Sequence, residues 1–250
     1  MLGPSTALLA LALSLLNIAQ AASINKPAEP TAVAGCHDYV IIDTRTTTEA
    51  QGPSVASKGM IQKTISALPG GTSAQTVYPA SSDFQKSAGV GATWVHNYLK
   101  HGIVSCPKQK YALVGYGQGA AVTWQALADI KKDDPIHDAI KATVLLGDPY
   151  HLPNLPGNID DHGGKSTDGG KGLGVGKGGF PGAEKITSWA KEGKVLNVCA
   201  SGDWVCQFTS PPSSQDIAPH KVYKSSAQVQ AAGAKFLIQK LGGKANKGGE

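Results

Sequence analysis

The chain has 250 residues, 41% of them hydrophobic and 16% charged, with a formal net charge of +5. That size and apolar content suit one substantial core, fall short of two well-filled domains, and exclude a chain disordered throughout. The charge is local: Lys235, Lys240, Lys244 and Lys247 against Glu250 supply +3 of it within the last sixteen residues. No aromatic-interleaved basic stripe accompanies it, so no nucleic-acid partner is expected.

Residues 1–21 read as a secretory signal, because Leu8 to Leu16 is a short apolar run followed by the small-residue pattern Ala19-Gln20-Ala21. The run is too short to span a bilayer, and no second stretch of membrane length follows, so an exported protein without a transmembrane segment is expected. Residues 22–35 form an N-terminal extension, 36–241 the globular domain and 242–250 a flexible tail. All four cysteines, Cys36, Cys106, Cys199 and Cys206, lie in the domain. An even count in an exported chain favours two disulfides. Three pairings exist; the closeness of Cys199 to Cys206 favours a stapled loop there and a second bridge from Cys36 to Cys106. No zinc-type spacing accompanies them, and neither a metal nor a cofactor is expected.

In chain order, Tyr39–Asp43 is a β-branched run suited to a strand buried on both faces. A helix follows with Ile61, Ile65 and Leu68 on one face, stopped by Pro69-Gly70-Gly71. Thr76–Tyr78 is predicted as the second strand. Beyond the Ser81-Ser82-Asp83 capping cluster, Phe84, Ala88, Ala92, Val95 and Leu99 recur at helical spacing. Tyr111–Val114 is the third strand, turning through Gly115–Gly119 into a helix carrying Val122, Ala126 and Ile130. Ala142–Leu146 and Val195–Val198 are the fourth and fifth. Ser225 or Ser226 caps a last helix with Val229, Gly233, Phe236 and Leu237 inside. Strands alternating with helices predict a mainly parallel five-stranded sheet covered on both faces, with the ligand site at the strands' carboxyl ends.

Residues 157–182 are glycine-rich and are expected to form a long flexible loop. Gly174, Gly176 and Gly179 match G-x-G-x-x-G formally, but the dinucleotide fingerprint needs a strand before it and a helix opening on it, and neither is predicted. Asp160, Asp161 and His162 are adjacent polar residues of that loop, a commoner arrangement than a cation site. His96, His101 and His137 are expected on helix surfaces.

The most informative stretch is Val114-Gly115-Tyr116-Gly117-Gln118-Gly119-Ala120. A strand ending in G-x-S-x-G and reversing into a helix is the nucleophile elbow of α/β-hydrolases. Here the frame is intact, but the central residue is Gly117, which tolerates strained dihedrals and supplies no nucleophile. The pattern resembles fungal cutinases, whose elbow reads Gly-Tyr-Ser-Gln-Gly. Asp43-Thr44-Arg45-Thr46-Thr47-Thr48-Glu49 resembles the family's Arg-Gly-Ser/Thr-x-Glu segment after the first strand, and Tyr78-Pro79-Ala80 its Tyr-Pro-Ala. Cys106-Pro107, Gly147-Asp148-Pro149 and the loop Cys199–Cys206 also fit, and His220 precedes Tyr223 where a catalytic histidine would stand.

The resemblance implies an α/β-hydrolase, cutinase-like three-layer sandwich. It implies that Asp203 orients His220, that His220 is the general base, and that the Gln118 backbone and Thr47 form an oxyanion hole. Thr46 stands where these enzymes usually carry glycine, a departure taken as independent of Gly117. Phe208, Pro211, Pro212 and Ile217 are candidates to line an acyl cleft. The function expected is that of a secreted, monomeric cutinase-like pseudoenzyme with a degenerate triad. It would bind an ester, a cutin-like polyester or a lipid, or a protein partner, with little or no hydrolysis. The alternative is an active carboxylic ester hydrolase using water or an unrecognised nucleophile.

Overall fold

Runs of Val, Ile and Leu long enough for one strand, each followed by a helical repeat, build a sheet whose strands all point the same way. In this computed structural model, which describes residues 35–176, 183–208 and 216–242, the six strands are parallel in the order β2-β1-β3-β4-β6-β5. The elements are β1 (Tyr39–Thr44), α1 (Lys58–Ala67), β2 (Gly71–Gln75), α2 (Phe84–Ser105), β3 (Lys110–Tyr116), α3 (Gln118–Ala128), α4 (Pro135–Ala139) and β4 (Ile140–Leu146). They continue with β5 (Asn158–Ile159), α5 (Leu173–Gly176), α6 (Ala183–Lys191), β6 (Val195–Val198), a 3-10 helix at Pro219–Lys224 and α7 (Ala227–Leu241). The proposed signal segment, nearly all of the N-terminal extension and the tail beyond Gly242 lie outside the described residues. Among the described residues no helix is long and apolar enough to cross a membrane.

Alternation along the strands splits the core in two. Val40, Ile42, Leu113 and Leu145 face a cluster completed by α2, α3 and α6 through Val95, Leu99, Trp124, Leu127 and Trp189. Tyr39, Ile41, Val114, Val144 and Leu146 face the other side, against Met60 of α1 and Val229 and Leu237 of α7. The result is three layers, helix on sheet on helix. Ser226 caps α7, its side chain accepting from the Val229 N–H. This is one of the two caps foreseen.

Five expectations need correction. The second strand is Gly71–Gln75, not Thr76–Tyr78: pairing with β1 is set by the turn at Gly70–Gly71, and Thr76–Tyr78 instead gives its carbonyls to Arg45. A sixth strand, β5, adds to the sheet edge with only two residues. The glycine-rich segment is not simply a flexible loop. Besides β5 and α5, the Asp160 carboxylate accepts from the backbone N–H groups of His162, Gly164 and Ser166 and from Ser166 Oγ. That carboxylate is spent on its own turn, and those bonds lower its pKa to about 2. His137 is buried, not on the surface, with its ring against Trp189 and Nε2 3.2 Å from Glu192. Ile130 also falls beyond the end of α3.

Both disulfides form as expected, Cys36–Cys106 across 70 residues and Cys199–Cys206 across 7. Two carboxylates, Asp43 and Asp148, are buried at the carboxyl ends of β1 and β4. Asp148 accepts from Trp124 Nε1, the Tyr150 N–H and Asn197 Nδ2. Burial nevertheless outweighs these bonds and raises its pKa to about 6.

Loop closure predicts that Cys36→Ser/Cys106→Ser costs about 4 kcal/mol in a denaturant titration, against about 2 kcal/mol for the Cys199 and Cys206 pair. Because the folded pKa of Asp148 lies above its unfolded value, the stability it contributes is complete below about pH 4 and lost as pH rises through about 6. Between pH 4 and 7 the protein is therefore expected to lose about 2 kcal/mol relative to Asp148→Asn, read as the difference between their unfolding curves.

Candidate active site

Four loops leave the carboxyl edge of the sheet after β1, β3, β4 and β6, and their residues meet at one point. β3 passes into α3 through Gly117, whose φ of 53° and ψ of −114° are a strained turn that a side chain rarely adopts. The turn packs α3 hard against β1, since a Cβ on Gly119 would lie 2.0 Å from the Thr44 carbonyl oxygen. The Gly117 N–H still bonds to the Leu146 carbonyl at 2.9 Å, so the elbow is an extension of the sheet.

Opposite the elbow stands His220, on the 3-10 helix and nearly buried. Its Nδ1 is 2.8 Å from Asp203 Oδ2. A carboxylate can only accept, so Nδ1 carries the proton of the neutral ring and Nε2 keeps a lone pair. Asp203 comes from the loop closed by Cys199–Cys206, where its Oδ1 accepts from the Val205 N–H at 3.0 Å. Its Oδ2 also accepts from Tyr223 Oη at 2.5 Å. Tyr223 lies one 3-10 turn after His220, so both side chains grip the same oxygen. Burial and the neighbouring carboxylate raise the Tyr223 pKa well above 10, which keeps it a phenol and a donor. The Tyr116 ring stacks on His220 at 4.9 Å between centroids, and its hydroxyl donates to the His220 carbonyl at 2.7 Å. Gly147 makes room for the pair, for a Cβ there would lie 2.5 Å from His220 Cε1.

The loop after β1 is held by charge. Glu49 accepts from the Thr46 N–H at 2.7 Å, the Val55 N–H at 2.8 Å and Ser54 Oγ at 3.1 Å. Arg45 donates to the carbonyls of Glu49, Thr76 and Tyr78. Asp43 accepts from the Ser54 N–H and Ser57 Oγ, and burial raises its pKa to about 6. Thr47 lines the cleft. Thr46 does more than its position in the sequence suggested. Its Oγ1 accepts from the Gln118 N–H at 3.3 Å, and a Cβ on Gly117 would lie 2.2 Å from that oxygen. Thr46 Oγ1 thus stands against Gly117, so the two positions expected to be independent touch each other. The Gln118 side chain faces away, accepting from Ser87 Oγ and donating to the Ser81 carbonyl.

Gly117, Gln118, His220, Thr46 and Thr47 line a cleft of about 630 Å³. Asp203 lies behind His220. Of the proposed lining residues Ile217 is at the cleft and Phe208 is not among the residues that line it, its N–H being bonded to the Lys171 carbonyl. Pro211 and Pro212 lie outside the described residues. The apolar wall comes from Phe84, Tyr150, Leu173, Trp204 and Val205 instead. Trp204 and Val205, in the Cys199–Cys206 loop with Asp203, had a sequence signal pointing to the site; Phe84 opens α2 and reads as core by its spacing. Such a wall with a hydroxyl, a backbone N–H and an imidazole at its foot suits an apolar chain ending in a carbonyl.

Comparison with known proteins agrees with this architecture. The family profile described as Cutinase matches residues 35–241. The carboxylesterase Culp1 of Mycobacterium tuberculosis is 25% identical over 209 residues, 82% of each chain. A cutinase of Hypocrea jecorina is 29% identical over 156 residues, covering 62% of this chain and 48% of the relative. Among solved structures, a cutinase-like protein from Cryptococcus sp. superposes with a TM-score of 0.74 at 36% identity, covering 86% of this chain and all of that one. With its parallel sheet sandwiched between helices in the α/β-hydrolase manner, the chain belongs to the cutinase family.

Proposed function

We propose that this protein is a secreted cutinase-family pseudoenzyme whose cleft holds an ester, a polyester or a lipid acyl chain and hydrolyses it little or not at all. Gly117 stands at the position of the nucleophilic serine. Asp203 orients His220 as general base, and the Gln118 N–H and Thr47 are the oxyanion donors. The observation carrying this reading is the elbow, which keeps its strained dihedrals around a residue without a hydroxyl. Loss of the nucleophile costs a serine hydrolase on the order of a million-fold in turnover, about 8 kcal/mol of barrier. Retention of the cleft and of the Asp203–His220 contact supports binding of the ligand class. Two disulfides support export to an oxidising compartment.

The contact between Thr46 and Gly117 makes restoration a two-residue problem. A serine side chain at 117 meets Thr46 Oγ1 at its first atom. On a short-chain p-nitrophenyl ester, Gly117→Ser alone is expected to stay about tenfold or more below Thr46→Gly/Gly117→Ser. The double variant is expected to exceed the unaltered protein by about ten-thousand-fold. Equal turnover of the unaltered protein and the double variant would sink the pseudoenzyme proposal. In co-sedimentation with insoluble polyester and with lipid vesicles, the unaltered protein is expected in the pellet of at least one; recovery in the supernatant of both removes the binding role.

A further inference from the structure

We propose that Thr46 supplies the hydroxyl that Gly117 lacks, and that its Oγ1 is the atom able to take up an acyl group in this cleft. The inference rests on the reading of Gly117 as a lost nucleophile, and it names the route of whatever slow ester cleavage remains. The place where a Cβ of residue 117 would stand is 2.2 Å from Thr46 Oγ1 and 3.0 Å from His220 Nε2. A hydroxyl thus reaches, from the neighbouring loop, into the volume that the first atoms of an elbow side chain would fill. It is the oxygen of Thr46 that stands there. The Thr46 Cβ is 3.1 Å from the same point.

Three further features suit that oxygen to nucleophilic work. The Gln118 N–H donates to it at 3.3 Å, which holds the Thr46 side chain turned toward the elbow. His220 Nε2 lies 3.0 Å from the same point, with Nδ1 held by Asp203 at 2.8 Å. The Thr46 backbone is fixed by the bond from its N–H to Glu49, while its side chain borders the cleft. Threonine hydroxyls act as nucleophiles when a base stands beside them. A hydrogen bond from Oγ1 to Nε2 is expected to form only with substrate in place, as catalytic bonds commonly do.

The step balances without any further reactant. Thr46 Oγ1 attacks the ester carbonyl carbon, a C–O bond forms, and the hydroxyl proton passes to His220 Nε2. The bond to the alcohol then breaks, and the leaving oxygen recovers that proton. A water deprotonated by His220 then attacks the acyl carbon, the C–Oγ1 bond breaks, and Oγ1 recovers the proton from Nε2 as the carboxylic acid leaves. A β-branched nucleophile on a tethered loop has little freedom to optimise its approach, which fits slow turnover.

A plain filling role competes with this one, and valine separates them because it keeps the shape of threonine without the oxygen. The test is treatment of the purified full chain with an alkyl p-nitrophenyl phosphonate, in which Oγ1 bonds to phosphorus and p-nitrophenolate leaves, followed by peptide mapping. The adduct is expected on Thr46 in the unaltered protein and on the new residue in Thr46→Ser. It is expected to fall at least about tenfold in Thr46→Val and in His220→Ala. No adduct in the unaltered protein, an adduct on another residue, or equal labelling of Thr46→Val overturns the inference. Mapping in the unaltered protein decides the matter even if Thr46→Val fails to fold. Polyester and vesicle binding by the same preparations is read separately: binding without a Thr46 adduct leaves the proposed function standing, and a Thr46 adduct without binding removes the binding role alone.

Discussion

Between the start of α3 and the end of β1 there is no space for a side chain. The Cα of Gly119 rides on the Thr44 carbonyl, and this close approach decides how the helix enters, where the turn at Gly117 must be strained, and how near the β1 loop comes to the elbow. Once α3 is seated there, Thr46 and Gln118 are neighbours whatever their side chains. The chemistry of the site is therefore a matter of which residue projects into a gap whose walls are set by backbone.

On the opposite wall the decisive group is Asp203. One of its oxygens serves both His220 and Tyr223, and the other takes the Val205 N–H. The tyrosine and histidine arrive together from one 3-10 helix, so a shift of that helix would disturb both contacts at once. Such an arrangement fixes the imidazole by position on one edge, by stacking against Tyr116 on its face, and by the missing Cβ of Gly147 beneath it. None of these restraints needs a hydroxyl at residue 117, which explains how the pair can keep its geometry without one.

Much of this was legible in the sequence, for physical reasons that also mark where legibility ends. β1, β3, β4 and β6 are buried on both faces and announce themselves as apolar runs. β2, Gly71–Gln75, is a half-buried edge strand of small and polar residues, and the more apolar Thr76–Tyr78 misleads by propensity. β5 has two residues and no periodicity to read. In the site, Gly117, Gln118, Asp203 and His220 were visible through motif resemblance, because strand-end turns and a short disulfide loop leave local signatures. The grip of Tyr223 on Asp203, the stacking of Tyr116 and the entry of Thr46 into the elbow were not. They depend on residues brought together across the sheet, as does the burial of His137 against Trp189 and Glu192.

Arg45 carries a mechanical consequence. Its guanidinium is buried and spends its donors on carbonyls of Glu49, Thr76 and Tyr78, while the Tyr78 hydroxyl returns a bond to the Arg45 carbonyl. Two connections far apart along the chain are thereby welded around one cation, and prying them apart would strand that charge without acceptors. The flank bearing Thr46, Thr47 and Thr48 thus behaves as a fixed jaw. Accommodation of a bulky guest falls instead to exposed side chains of the cleft such as Ile217.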